Sequence, residues 1–201
     1  MLEKIRDIPG DRLDHTAYHA HFGRETADLR GVVWKLERSQ VFREPRDPSW
    51  QAFMAGDWQG ALDLLEKDRE ATRSEAVNNA AQGLEIRRVR VVEFPITPYV
   101  QWELHALRLL ADEGFGLTVL TAEQVASLET RARLPEVLVV GDLVLYEVQY
   151  EPDWTPCGAR RITAPDVIHA AASEIKALYE SGEPFLDFFH REIAPLPAPA
   201  V

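Results

Sequence analysis

Cysteine is almost missing from this chain of 201 residues: Cys157 stands alone. A single thiol excludes an intrachain disulfide and a Cys-rich zinc site. Long apolar runs are missing too, and the longest stretches fall far short of the roughly 20 residues a helix needs to span a bilayer. The N-terminus, Met1-Leu2-Glu3-Lys4-Ile5-Arg6-Asp7, has no apolar segment of the kind a secretory signal carries, so the expected address is the cytoplasm. Basic runs are scarce beyond Arg87, Arg88, Arg90 and the pair Arg160-Arg161. With 22 basic against 33 acidic residues the formal charge is −11, which opposes approach to nucleic acid and anionic lipid. Neither is expected as a direct partner. Catalytic signatures are absent as well: there is no Gly-x-Ser-x-Gly elbow, no His-Glu-x-x-His and no phosphate-binding glycine loop. No cofactor is expected.

What is present is ordinary globular material, 46% hydrophobic and 27% charged, in a chain long enough for one domain with a sizeable core. Residues 12–23 read as helix and Val32 to Glu37 as a strand rich in β-branched and aromatic side chains. After Pro45 and Pro48, a short helix over Trp50 to Ala55 ends at Gly56. A longer one then runs from Asp57 to about Ala81, with Leu62, Leu65 and Val77 inward and an Asp63–Lys67 ion pair outward, and stops at Gly83. Ile86 to Val92 reads as a strand. Thr97-Pro98 opens a helix carrying Val100, Leu104, Leu107 and Ala111 at helical spacing, which Gly114 stops. Leu117 to Leu120 is a strand, and Thr121 with Gln124 has capping-box spacing for a helix to about Thr130. Val137 to Val140 and Leu143 to Val148 are strands joined by a tight turn at Gly141-Asp142. A helix from Pro165 places Ile168, Ala171, Ile175 and Leu178 on one face, a short helix covers about Pro184 to Arg191, and alternating prolines make the end an extended tail.

That order implies an α/β fold, a mixed sheet flanked by helices, with a βαβ unit from Ile86 to Leu120. Three regions are expected within what is read as one structural domain: a mostly helical 1–84 packed on the core, an α/β core at 85–191 and a Pro-rich tail at 192–201.

Trp34-Lys35-Leu36-Glu37, Phe53-Met54-Ala55-Gly56, the strand Arg88 to Val92, and Tyr99 with Glu103 resemble an uncharacterised bacterial family of unknown function, often encoded beside helix-turn-helix regulators. The strand, Pro-rich loop, Tyr99, amphipathic helix and second strand also look like a phospholipase D half-repeat, whose active members carry His-x-Lys-x-x-x-x-Asp on a later strand. Placing Asp142 at the final Asp puts Pro135 at the nucleophile position and Val137 at the phosphate-clamping lysine position. Neither side chain does that chemistry. The resemblance therefore implies a phospholipase D-like core without catalysis.

Arg88 and Arg90 are the most informative pair. Two apart on a strand, they share a face while Val89 and Val91 take the other. Like charges on a core strand need carboxylates or an anion beside them, and Glu103, Asp142 and Glu147 are the internal candidates. One reading is a structural ion-pair network. The other is an anion or partner site beyond the carboxyl ends of the strands, flanked by Tyr99 and Tyr150. His15 and His19, four apart, have the spacing to grip one zinc ion, although a polar helix carrying several histidines, His21 among them, is the plainer reading. Trp154, between Asp153 and Thr155, is the aromatic most expected at the surface and a candidate partner contact. Cys157 lacks any sequence-adjacent base. The function these features suggest is a non-catalytic regulatory or ligand-binding protein, working on a helix-turn-helix regulator or a small anionic ligand, with homodimerisation open. The alternatives are an enzyme acting on a phosphorylated or anionic small molecule, and a purely structural interaction protein.

Overall fold

The computed structural model describes residues 1–200. Its frame is a single mixed sheet of eight strands in the order β1-β7-β6-β5-β2-β3-β4-β8. The central strands are β2 (Gly31–Glu37) and β3 (Leu84–Val92), which pair in parallel, and β4 (Gly116–Thr121) lies parallel beyond β3. Parallel neighbours need crossovers. Three helices, α2 (Pro48–Met54), α3 (Trp58–Lys67) and α4 (Arg69–Gln82), carry the chain from β2 to β3, and α5 (Pro98–Asp112) carries it from β3 to β4. On the other side of β2 the sheet is antiparallel: β5 (Val137–Val140), β6 (Val144–Tyr150), β7 (Pro156–Ile162) and the edge strand β1 (Asp11–Asp14). β8 (Glu183–Pro184) closes the far edge.

Alternation along the strands divides the sheet into two unlike faces. Trp34, Leu36, Val89, Val91, Val137, Val139 and Leu145 turn to one side and are buried with Ile168, Ala171, Ile175 and Leu178 of α7 (Pro165–Ser181). The helical face read from the sequence is the one α7 buries. Leu2 and Ile5, from a short N-terminal turn, complete that layer. The opposite face is covered in two pieces. At the β3–β4 end lies α5 with Val100, Leu104 and Leu107, joined by Phe185, Phe188 and Phe189. At the β6–β7 end lies α1 (His15–Thr26), which sets Tyr18 and Phe22 on Tyr146. A gap separates the two coverings, and the strand residues beneath it are charged.

Several expected boundaries change. The helix expected over 12–23 begins only at His15, where Asp14 accepts the Ala17 amide at 2.8 Å; the charged segment before it is the edge strand β1. The helix expected over 57–81 breaks at Asp68 into α3 and α4. Of its supposed inward residues Leu65 is buried, but Val77 is 63% exposed, because α4 is held by charge rather than by a core face. Arg69 reaches Asp112 and Glu113, and Arg73 reaches Glu113. Asp63 accepts from Gln59 at 2.8 Å and forms no pair with Lys67 among the described residues. The helix expected to run to about Thr130 shortens to α6 (Ala122–Val125) and a tight turn, although its capping box at Thr121 and Gln124 is formed. The 84/85 boundary falls one residue inside β3, and β2, from within 1–84, lies in the middle of the sheet beside β3.

Candidate functional site

The gap between α1 and α5 is a cavity of about 720 Å³. Its floor is the charged half of the alternation in β2 and β3. Lys35 and Glu37 stand opposite Arg88 and Arg90 in the parallel register and share their face. α5 lowers Tyr99 and Glu103 onto this floor, β6 supplies Tyr150, and α1 places His15, Tyr18 and His19 at the far wall. The loop after β2 closes the remaining side with Phe42 and Glu44. The helix that presents Tyr99 begins where it does because Thr97 accepts the Val100 amide at 3.1 Å and Pro98 occupies the first turn.

The residues singled out in the sequence largely converge here. Arg88, Tyr99, Glu103, Tyr150, His15 and His19 all line the cavity. Arg90 lies just beneath it, 0% exposed. Its guanidinium donates to Glu103 at 2.8 Å through Nε, approaches the same carboxylate at 2.7 Å through Nη2, and donates to the Val91 carbonyl at 2.8 Å. Arg88 pairs with Glu37 at 3.1 Å. Both arginines thus carry their own carboxylates. Asp142 and Glu147, the other expected partners, are engaged elsewhere, with His169 at 3.3 Å and Arg160 at 2.7 Å.

Trp154 lies outside the cavity. It is 43% exposed, at a positive φ of 67°, over a neighbouring groove that Arg38, Glu136 and Tyr150 also line. Cys157 does not reach the cavity wall, and burial pushes its thiol up, away from the reactive thiolate. Pro135 and Val137 show no functional grouping with Asp142: Val137 is buried in the α7 layer, Pro135 lines the neighbouring groove, and Asp142 sits in the β5–β6 turn.

Sequence reasoning missed Lys35, Glu37, Glu44 and Glu136. For Lys35 and Glu37 the signal was present: Trp34-Lys35-Leu36-Glu37 alternates as Val89-Arg90-Val91 does. Glu44 and Glu136 lie in irregular segments whose placement has no periodic signature. Lys35 bonds Glu37 at 2.6 Å, and Glu136 accepts the amides of Arg38 at 2.9 Å and Ser39 at 2.6 Å. Among the described residues no side chain or amide bonds the Glu44 carboxylate.

The electrostatics follow from this partition. Burial acts to raise Glu37, but Arg88, Lys35 and Arg90 outweigh it and pull its carboxyl down to about 2. Burial raises Glu103, with Arg90 holding it back. Glu44 and Glu136 are both pushed up to about 7, chiefly by burial. Burial, reinforced by nearby carboxylates, also raises the Tyr99 and Tyr150 phenols, so both remain neutral donors. His19 is lowered by burial and by His15 and Arg46. The His15 and His19 rings touch, with centroids 4.4 Å apart, but no three His, Cys, Asp or Glu side chains gather as a metal site among the described residues.

Among the described residues no helix is long and apolar enough to cross a membrane. Among curated proteins none matches the chain, whereas the model of the family described as Domain of unknown function (DUF6879) matches residues 20–190. That span holds every cavity-lining side chain except His15, Tyr18 and His19, and the chain belongs to the DUF6879 family.

Proposed function

We propose that this protein is a non-catalytic module that binds a small molecule in the cavity between α1 and α5 and passes that occupancy to a regulatory partner. The observation that carries the reading is the state of the cavity's polar groups. Tyr99, Tyr18 and Tyr150 line the cavity, and among the described residues no protein group bonds their hydroxyls, so all three are free to meet a ligand. A pocket with a few convergent polar groups is the usual form of a ligand site. A catalytic reading has less support. The two guanidiniums that would clamp an anionic substrate are neutralised by Glu37 and Glu103, and Pro135 and Val137 cannot supply a nucleophile or a phosphate clamp.

The regulatory half of the proposal, with a bacterial cytoplasmic setting and a helix-turn-helix partner, rests on the resemblance carried by Trp34 to Glu37, Phe53 to Gly56 and Arg88 to Val92. The phospholipase D-like ancestry of the core is part of the same proposal.

The experiment is a thermal-shift screen of small metabolites against the parent and Ala106→Trp, which fills the cavity from α5. A ligand at about a hundred times its Kd stabilises by about 2.7 kcal/mol, and for a chain of this size that raises Tm by about 5–10 °C. Hits that shift the parent and not the filled variant support the reading. Hits that shift both equally, or a screen without hits, contradict it.

A further inference from the structure

The charges around the cavity do not balance. Five carboxylates, those of Glu37, Glu44, Asp47, Glu103 and Glu136, face four cations, those of Lys35, Arg46 and Arg88 in the lining and Arg90 beneath it. Lys35 and Arg88 are both committed to Glu37, and Arg90 is committed to Glu103. Glu136 has two backbone amides, Asp47 accepts those of Ser49 and Trp50, and Arg46 lies against the His15 ring nitrogen at 3.4 Å. Glu44 is the surplus, a partly buried acid in the cavity wall without a partner among the described residues.

Its surroundings are aromatic. Phe42, two residues earlier, stacks on Tyr150 at 4.9 Å between centroids and meets Tyr99 edge-on at 5.6 Å. An aromatic face carries negative quadrupole charge and attracts a cation, most strongly where water is excluded. The free hydroxyls of Tyr99 and Tyr150 add oxygen acceptors for N–H donors. An anion would meet poorer conditions, since it would sit beside an unpaired carboxylate and find Lys35, Arg88 and Arg90 already engaged, with only the exposed Arg46 lacking a carboxylate of its own.

From this geometry we infer that the ligand is a small organic monocation, an ammonium or guanidinium on an apolar body, whose charged head pairs with Glu44 among Phe42, Tyr99 and Tyr150. This rests on the ligand-binding reading above and replaces the anion expected from Arg88 and Arg90 in the sequence. Trp102 and Leu107, deeper along α5, offer the apolar body a wall.

Three probes of one shape test the charge: 2-phenylethylamine, 2-phenylethanol and 3-phenylpropionate, titrated calorimetrically at about pH 8, where Glu44 is ionised. The amine should bind most tightly. Glu44→Gln should weaken it by about ten- to a hundredfold, the loss of one charge-assisted hydrogen bond, and leave 2-phenylethanol unchanged. Tyr99→Phe should weaken the amine by a smaller factor, and Ala106→Trp should abolish binding. Tighter or equal binding of the alcohol or the carboxylate, blocked by Ala106→Trp, overturns the cation inference while the cavity reading stands. Amine binding unaffected by Glu44→Gln also overturns it. Failure of all three probes overturns it too, and the metabolite screen then decides the cavity reading separately.

Discussion

Replacing Arg90 with methionine keeps most of the side-chain volume and removes the guanidinium. What remains is a buried floor with Glu103 lacking its ion pair to Arg90 and the Val91 carbonyl lacking the Arg90 donor. Glu37 and Glu136 lose a nearby positive charge as well. Breaking a buried pair by removing one partner typically costs about 3–5 kcal/mol, most of it the penalty of the stranded charge. With a urea slope of about 2 kcal/mol per molar, the midpoint should fall by about 2 M with the slope unchanged. The double variant Arg90→Met/Glu103→Leu removes both charges and should recover most of the loss, since apolar replacement of a buried pair is often neutral. The single-variant loss should also shrink toward acid pH, where Glu103 takes up a proton and ceases to be a buried charge. The assay is urea unfolding of the parent, both single variants and the double variant. A midpoint for Arg90→Met within about 0.3 M of the parent, well under 1 kcal/mol, would refute the reasoning. So would a double variant that loses the sum of the singles, because the pair would then have no coupling to release.

Arg88→Ala should cost less, about 1 kcal/mol, because Lys35 continues to hold Glu37 and the site is partly open to solvent; the same urea series measures it. The raised carboxyls set a pH dependence. Glu44 and Glu136 lie near about 7 against an ordinary value of 4.5, so the folded chain holds more protons between those limits. Their contribution is fully present below 4.5 and is lost as pH rises through 7. Glu37, at about 2, works the other way, and its contribution is lost as pH falls from 4.5 toward 2. Thermal unfolding across pH should therefore show greater stability near about pH 5 than at pH 8, and Glu44→Gln should flatten that difference by raising Tm on the alkaline side. Gly158→Ala should detach the edge strand: Gly158 has φ +144°, and a Cβ there would lie 2.0 Å from the Leu13 carbonyl. Hydrogen exchange should report faster opening of β1 while β2 and β3 stay protected.

Much of the sheet is legible in the sequence because burial imposes a period. The alternation in Val32 to Glu37 and Ile86 to Val92, the helical spacing of Val100, Leu104 and Leu107, and the caps at Thr97 and Thr121 each survive in the structure. Strands without an apolar run are not legible. β1 is Asp-Arg-Leu-Asp, and β7 opens Pro-Cys-Gly and continues through two arginines, so both read as loop or helix until their mutual pairing is seen. The candidate site shows the same limit. Arg88, Arg90, Tyr99 and Glu103 stand out because charge on a core strand and an aromatic at a helix start are local anomalies. Glu44 is an ordinary loop acid in sequence. Only the return of α5 and α1 over β2 encloses it, and that is a property of topology rather than of spacing.

The most direct test of the account is a crystal structure with the strongest hit of the metabolite screen bound. The account predicts the ligand in the cavity between α1 and α5, bonded to the Tyr99 hydroxyl with a nitrogen against Glu44, while Arg90 and Glu103 stay paired beneath it. A ligand seated outside this cavity, with the Tyr99 hydroxyl still unbonded, would contradict it.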